Sequence, residues 1–234
     1  MNDIFNDNVS LKTETPAFAK HVLPAVPLSE VYLEDCVTAL KRYADNHFDL
    51  AIVDPPYGIE INMNMGRKKG QKKRHNDKDW DNSIPEDIYF KELFRVSKNQ
   101  IIWGGNYFPL PLTKSWIFWD KNVPEGVSFA DGELAWTSFD KTLVKAKIDY
   151  SGFQGMDDGG KIHPTQKPVR LYDWIFKKYA TAGDLILDTH LGSGSSRIAA
   201  YKAGLNFVGF EIDQEYYEKQ EKRFNDFKSQ LRLF

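Results

Sequence analysis

Residues 185–213 read LILDTHLGSGSSRIAAYKAGLNFVGFEID. Leu185 to Leu187 is a short apolar run of the kind buried on both faces of a parallel sheet. Gly192 to Ser196 follows as a glycine-rich turn, and a helix is predicted from Arg197 to Lys202. Asn206 to Phe210 is a second strand and closes on Glu211. Strand, glycine loop, helix and strand ending in an acid make one unit of an α/β fold. The loop is not a P-loop, since no Gly-Lys-Ser/Thr follows. Arg197 stands where a dinucleotide fingerprint has its third glycine, which leans away from a pyrophosphate ligand. Glu211 falls 19 residues after Gly192. An acid about 20 residues past such a loop is where a ribose diol is held, so the unit favours an adenosine-containing ligand over a bare turn.

The same alternation extends in both directions. Upstream, Pro168 is placed at a first helical position, Leu171, Trp174, Ile175 and Tyr179 form one apolar face, and Gly183 closes that helix. Downstream, Gln214 to Phe227 is a charged helix, and the charges from Gln214 to Arg223 are assigned to a solvated face. In the first half, Val31 to Leu33 is a strand, Cys36 to Tyr43 a helix, and Phe48 to Val53 a buried-type strand stopped by Pro55-Pro56. A helix begins near Ser83 to Glu86 with Ile88, Phe90, Leu93 and Phe94 on its stripe. Ile101 to Trp103, Trp116 to Trp119 and Leu134 to Phe139 are further strands. Residues 1–28 are an extended lead-in, residues 29–234 one domain, and residues 58–82 a polar, basic loop.

Composition bounds the function. A chain of 234 residues with 41% hydrophobic and 27% charged residues is globular and long enough for a core without staples. Its single cysteine, Cys36, excludes an internal disulfide and any cysteine-based zinc cluster, which fits a reducing cytoplasm. No apolar run approaches a membrane span, and no metal site is expected. His190 is assigned to packing or hydrogen bonding, and Cys36 to a buried, inert position. Trp116, Trp119 and Trp136 are read as core, and Trp103 as equally a core residue or a neighbour of the site. The net charge of −2 hides a separation. Arg67, Lys68, Lys69, Lys72, Lys73 and Arg74 put +6 into ten residues without an acid, and subtracting that +6 from −2 leaves −8 elsewhere. Nucleic acid would be met on one face only.

Asp54-Pro55-Pro56-Tyr57 directly follows the strand Phe48 to Val53. Two prolines fix the backbone and lack N–H groups, which leaves carbonyls exposed beside an acid and an aromatic ring. That set suits a planar group bearing an exocyclic amine: Asp54 and the Pro55 carbonyl accept its hydrogens while Tyr57 stacks on the ring. Through this tetrapeptide the chain resembles the β-class DNA amino-methyltransferases, whose catalytic D-P-P-Y precedes the cofactor loop. Asp188 to Ser196 resembles that cofactor loop, with Thr189-His190 in place of Pro-Phe. His163-Pro164-Thr165-Gln166-Lys167-Pro168 resembles the family's H-x-T-x-K-P segment, and Glu34-Asp35-Cys36 its G-D-C turn. The likeness covers about residues 30–215.

The resemblance implies a Rossmann-like methyltransferase fold: a mostly parallel sheet with helices on both faces and a permuted motif order. It implies S-adenosylmethionine as cofactor, with Glu211 on the ribose and Asp35 on the adenine. Asp188, Gly192, Ser193 and Gly194, with Thr165 and Lys167, would serve the methionine end. It implies Asp54, Pro55, Pro56 and Tyr57 as catalytic residues for methylation of a flipped adenine N6 in double-stranded DNA, as in restriction-modification. Cytosine-N4 methylation, protein glutamine or RNA as substrate, and an inactive DNA-binding module of the same fold remain alternatives. A homodimer is compatible with this assignment. The stretch between Phe139 and His163 is too short for a separate recognition domain, so Arg67 to Arg74 is the expected source of phosphate contact.

Overall fold

The computed structural model describes residues 26–59, 83–125, 130–149 and 160–231. Among these residues eight strands form one sheet in the order β1-β8-β7-β2-β3-β5-β4-β6. They span Ser29–Leu33 (β1), Phe48–Val53 (β2), Ser97–Trp103 (β3), Trp116–Asp120 (β4), Gly132–Thr137 (β5), Val144–Lys147 (β6), Leu185–Asp188 (β7) and Asn206–Glu211 (β8). Every pairing is parallel except the two made by β5, with β3 and with β4. Reversing β5 alone brings its first residues to the rim where its parallel neighbours end.

Helices cover both faces. The central strands β2, β7 and β8 are buried on both sides, so they alternate between two cores rather than between core and water. Leu50, Ile52, Ile101 and Ile186 pack towards α3 (Val169–Tyr179) and α4 (Ser195–Lys202). Ala51, Val53, Ile102 and Leu187 pack towards α1 (Cys36–Leu40) and α2 (Asp87–Val96). A final helix, α5, runs from Gln214 to Leu231.

The Rossmann-like α/β architecture expected from the sequence is thus present, with local corrections. Helix α1 ends at Leu40, and the turn after it bonds Arg42 and Tyr43 back to Ala39 and Leu40. In α2 the buried stripe is Tyr89, Phe90, Leu93 and Val96, while Ile88 is exposed. Pro168 caps α3 in an extended conformation rather than opening it. Strand β6, alternating Val144 and Ala146 with lysines, was not expected. The face of α5 from Gln214 to Arg223 is not wholly solvated: Gln220 and Arg223 are buried.

Two expected segments fall largely outside the described residues. Of the lead-in, residues 1–25 lie outside them, and Leu28 already bonds Asn206 and Phe207. Of the basic loop, residues 60–82 lie outside them, including Arg67, Lys68, Lys69, Lys72, Lys73 and Arg74. Among the described residues no helix is long and apolar enough to cross a membrane, and no acid, histidine or cysteine cluster could hold a metal ion.

Candidate active site

Open α/β sheets place ligands outside the carboxyl ends of their strands, where neighbouring connections diverge. Here the ends of β1, β8, β7 and β2 surround a cavity of about 620 Å³. Asp35, Asp54, Pro56, Thr165, Lys167, Gly192, Ser193 and Glu211 all line it. Four separate sequence motifs therefore share one chamber. Pro55 is buried behind Pro56, and Tyr57 stands beside Asp54.

On one side the polar groups are fixed by backbone. Glu211, at the end of β8, accepts Gly192 N–H at 2.8 Å and Asp213 N–H at 2.9 Å. Burial pushes its carboxyl up against those two bonds. Asp35 caps α1 by accepting Thr38 N–H at 2.8 Å and its hydroxyl at 2.7 Å. Gly192 and Gly194 both have positive φ, 51° and 70°, which a side chain would resist. Gly194 caps α4 and does not line the cavity.

Asp188 is not on the cavity wall. It lies beneath the glycine loop, accepting Ser196 Oγ at 2.5 Å and His190 N–H at 3.1 Å. Burial raises its carboxyl to about 7. The Thr189-His190 departure has a local explanation. Tyr89 of α2 shares a 2.7 Å bond with Thr189 Oγ1, which lies 3.0 Å from His190 Nδ1, and the Tyr89 ring meets the imidazole edge-on. Burial lowers His190 to about 4, so it packs as a neutral ring. Thr165 Oγ1 lies 3.1 Å from His163 Nδ1, and the His163 ring packs on Tyr216 of α5. Arg223 of α5 donates to Ser193 C=O at 2.8 Å and Ser195 Oγ at 2.9 Å, buttressing the loop from behind. Arg197, in the third-glycine position, binds Gln220 and Glu221. Cys36 lines the cavity, and burial lifts its thiol to about 12, which keeps it protonated.

The other side is built from side chains. Asp54 Oδ1 accepts the Tyr57 hydroxyl at 2.6 Å, and Oδ2 accepts Lys167 Nζ at 2.5 Å. Burial pushes the Asp54 carboxyl up against the attraction of Lys167. Lys167 also pairs with Glu133 Oε2 at 3.1 Å, and Glu133 Oε1 pairs with Lys121 at 2.5 Å. Burial opposes ionisation of Glu133 too, but two ammonium groups overcome it and bring it down to about 2. Sequence reasoning placed Lys167 at the cofactor end; its ammonium instead reaches Asp54. It passed over Glu133, for which the only signal was an acid opening an aromatic-rich strand. Trp103 proves to be both core and neighbour: fully buried, with Lys167 Nζ 5.2 Å from its ring centre.

Tyr57 is tightly seated. Gly104 has φ +65°, and a Cβ there would stand 2.2 Å from the Tyr57 ring. Only glycine lets strand β3 end so close to that ring. Tyr107, in the 3₁₀ turn Gly105–Tyr107, stacks on Tyr57 at 5.0 Å with 13° between planes.

Residues 111–222 match the family model described as DNA methylase. The type II methyltransferase M.HinfI of Haemophilus influenzae is 25% identical, over 86% of this chain and 69% of its own. Over that segment the chain is similar to the DNA methylases. Methylase structures share its fold: the M1.HpyAVI–SAM complex gives a TM-score of 0.55 at 19% identity, covering 83% of this chain and 98% of that one. The cytosine-N4-specific PvuII DNA methyltransferase gives 0.56 at 15% identity, covering 88% and 93%. The matched segment, from β4 to α5, includes Lys167 and the glycine loop but not Asp54.

Proposed function

We propose that this chain transfers the methyl group of S-adenosylmethionine to the N6 amine of an adenine flipped out of double-stranded DNA. The observation that carries the proposal is the shared cavity: Asp54 and Pro56 of the D-P-P-Y turn face the same space as Glu211, Asp35 and the glycine loop. The donor set suits the cofactor. Glu211 presents a buried carboxylate already oriented by two amides, ready to accept from a ribose diol. Asp35 stands at the adenine edge, and Gly192, Ser193 and Thr165 form the wall for the methionine end.

When bound, the cofactor supplies a methyl on a sulfonium ion, a good electrophile that needs no metal from the protein. The protein's part is positioning and electrostatics. Asp54 accepts a hydrogen of the amine and opposes the positive charge that grows on its nitrogen as the methyl–sulfur bond breaks, and the proton shed by the methylated amine passes to water. Tyr57, pinned against Gly104, steadies Asp54 through its hydroxyl, and a base stacking on its ring would take the place of Tyr107. An amine inside a duplex cannot meet this geometry, which requires base flipping. Arg67, Lys68, Lys69, Lys72, Lys73 and Arg74 are proposed, on charge alone, as the phosphate contacts. Replacing all six with serine is expected to weaken DNA binding and flatten its salt dependence while sparing cofactor binding.

Incubating the protein with methyl-labelled cofactor and mixed-sequence DNA, then digesting to nucleosides, tests the assignment. N6-methyladenine is the expected product. N4-methylcytosine alone would move the substrate to cytosine, which the fold neighbour of that specificity keeps in view. No labelled nucleoside, with cofactor still bound, would leave the inactive-module alternative standing.

A further inference from the structure

Asp54 presents a difficulty for the proposed chemistry. One of its oxygens is taken by Tyr57 and the other by the ammonium of Lys167 at 2.5 Å. A carboxylate neutralised in this way opposes a growing positive charge poorly. Yet Lys167 cannot simply leave: its side chain is 3% exposed, and an unpaired ammonium at such depth costs several kcal/mol. It needs a second anion within reach.

The structure provides one. Glu133, the second residue of the reversed strand β5, sits 3.1 Å from the same ammonium. Apart from that ion pair, its buried Oε2 has no partner among the described residues. Its other oxygen is held by Lys121, which fixes the carboxylate in place from the far side. The four charges Lys121, Glu133, Lys167 and Asp54 sum to zero wherever the Lys167 ammonium settles between the two acids.

We propose that Glu133 is a positioning residue for methyl transfer, the alternative counter-ion onto which Lys167 withdraws when the target amine engages Asp54. This inference rests on the function proposed above. Withdrawal exposes Asp54 Oδ2 as an acceptor and restores its full negative charge beside the reacting nitrogen, with no ion left unpaired. Without Glu133 the ammonium stays on Asp54.

Steady-state methyl transfer by the full chain tests this. Glu133→Gln is expected to lower kcat by about 10–100-fold, the scale of a misset reacting group, with cofactor Kd and the KM for DNA within about twofold of wild type. In a Lys167→Gln background, where no ammonium blocks Asp54, the further change Glu133→Gln is expected to cost nothing more. A packing role predicts the same loss in both backgrounds. If Glu133→Gln fails to fold, Glu133→Asp keeps the charge and is expected to retain most of kcat. Loss of kcat in Glu133→Asp equal to that of a neutral variant would overturn the assignment, as would wild-type kcat in Glu133→Gln or additive losses with Lys167→Gln. Wild-type protein that methylates no DNA would bring down the proposed function and this assignment together; the other outcomes strike this assignment alone.

Discussion

The two walls of the cavity hold their acids by different means. Glu211 is held by two backbone amides, and Asp35 by the amide and hydroxyl of Thr38, none of which titrates. Asp54 is held by a phenol and an ammonium, both of which can exchange partners. Fixed dipoles suit a ligand that must be gripped in the same pose at each turnover. Mobile ions suit a site whose charge has to be offered at one moment and screened at another. On the proposed function, binding is built into the main chain and reactivity into side chains.

The largest expected effect lies on the mobile wall. Asp54→Ala should reduce methyl transfer by on the order of 10²–10³-fold or more, the range found when a group facing developing charge is removed. Cofactor affinity by titration calorimetry should stay close to wild type, because no backbone contact to the cofactor wall is lost. The mirror experiment is Glu211→Ala. It should weaken cofactor binding by about 1–3 kcal/mol through lost charge-assisted bonds, and leave Gly192 and Asp213 amides unpaired. Equal Kd values for wild type and Glu211→Ala would erase the distinction between the walls.

Gly104→Ala probes the boundary between them. The added Cβ at 2.2 Å must displace the Tyr57 ring, and a non-glycine residue at φ +65° costs about 1–2 kcal/mol. Lower transfer and lower stability are expected together, with cofactor binding intact. A variant with wild-type kcat would mean that the seat of Tyr57 does not matter.

The smallest effects concern two buried groups under the glycine loop. Asp188 ordinarily ionises near 3.8 and here near 7, so between those values the folded chain holds a proton that the unfolded chain has released. Stability from Asp188 therefore falls as pH rises from about 4 to about 7. His190 moves from 6.5 to about 4, so the unfolded chain holds the extra proton and stability rises with pH over that interval. The two slopes oppose. Relative to wild type, the urea midpoint of Asp188→Asn should climb with pH between 5 and 6.5, and that of His190→Gln should decline. Parallel curves for all three proteins would refute both assignments.

The frame of the molecule was legible because the buried parallel strands are mostly apolar runs. Phe48 to Val53 coincides with β2, and Leu185 to Leu187 and Asn206 to Phe210 fall within β7 and β8. Strand β6 escaped notice because two of its four residues are lysines and its pairing to β4 is a tertiary fact. The acids at strand ends were readable from spacing within motifs. The Lys167–Asp54 bond was not, since 113 residues separate the partners and nothing local ties them. Glu133 was hidden for a further reason: only the reversal of β5 brings a strand's opening residue to the rim. Arg223 looked like one charge among many on α5, and only the fold turns it towards Ser193.

Among the described residues strand β1 pairs only with β8, Ser29 opposite Phe207. In the cell this sets a timetable. At roughly 5–20 residues per second, the ribosome takes some ten to forty seconds to travel from one strand to the other. During that interval the newly made β1 has no neighbour to cover its edge, the condition in which chaperones engage a nascent chain. The chamber has no Glu211 wall until β8 emerges, so cofactor can stabilise the finished protein by mass action but cannot guide its early folding.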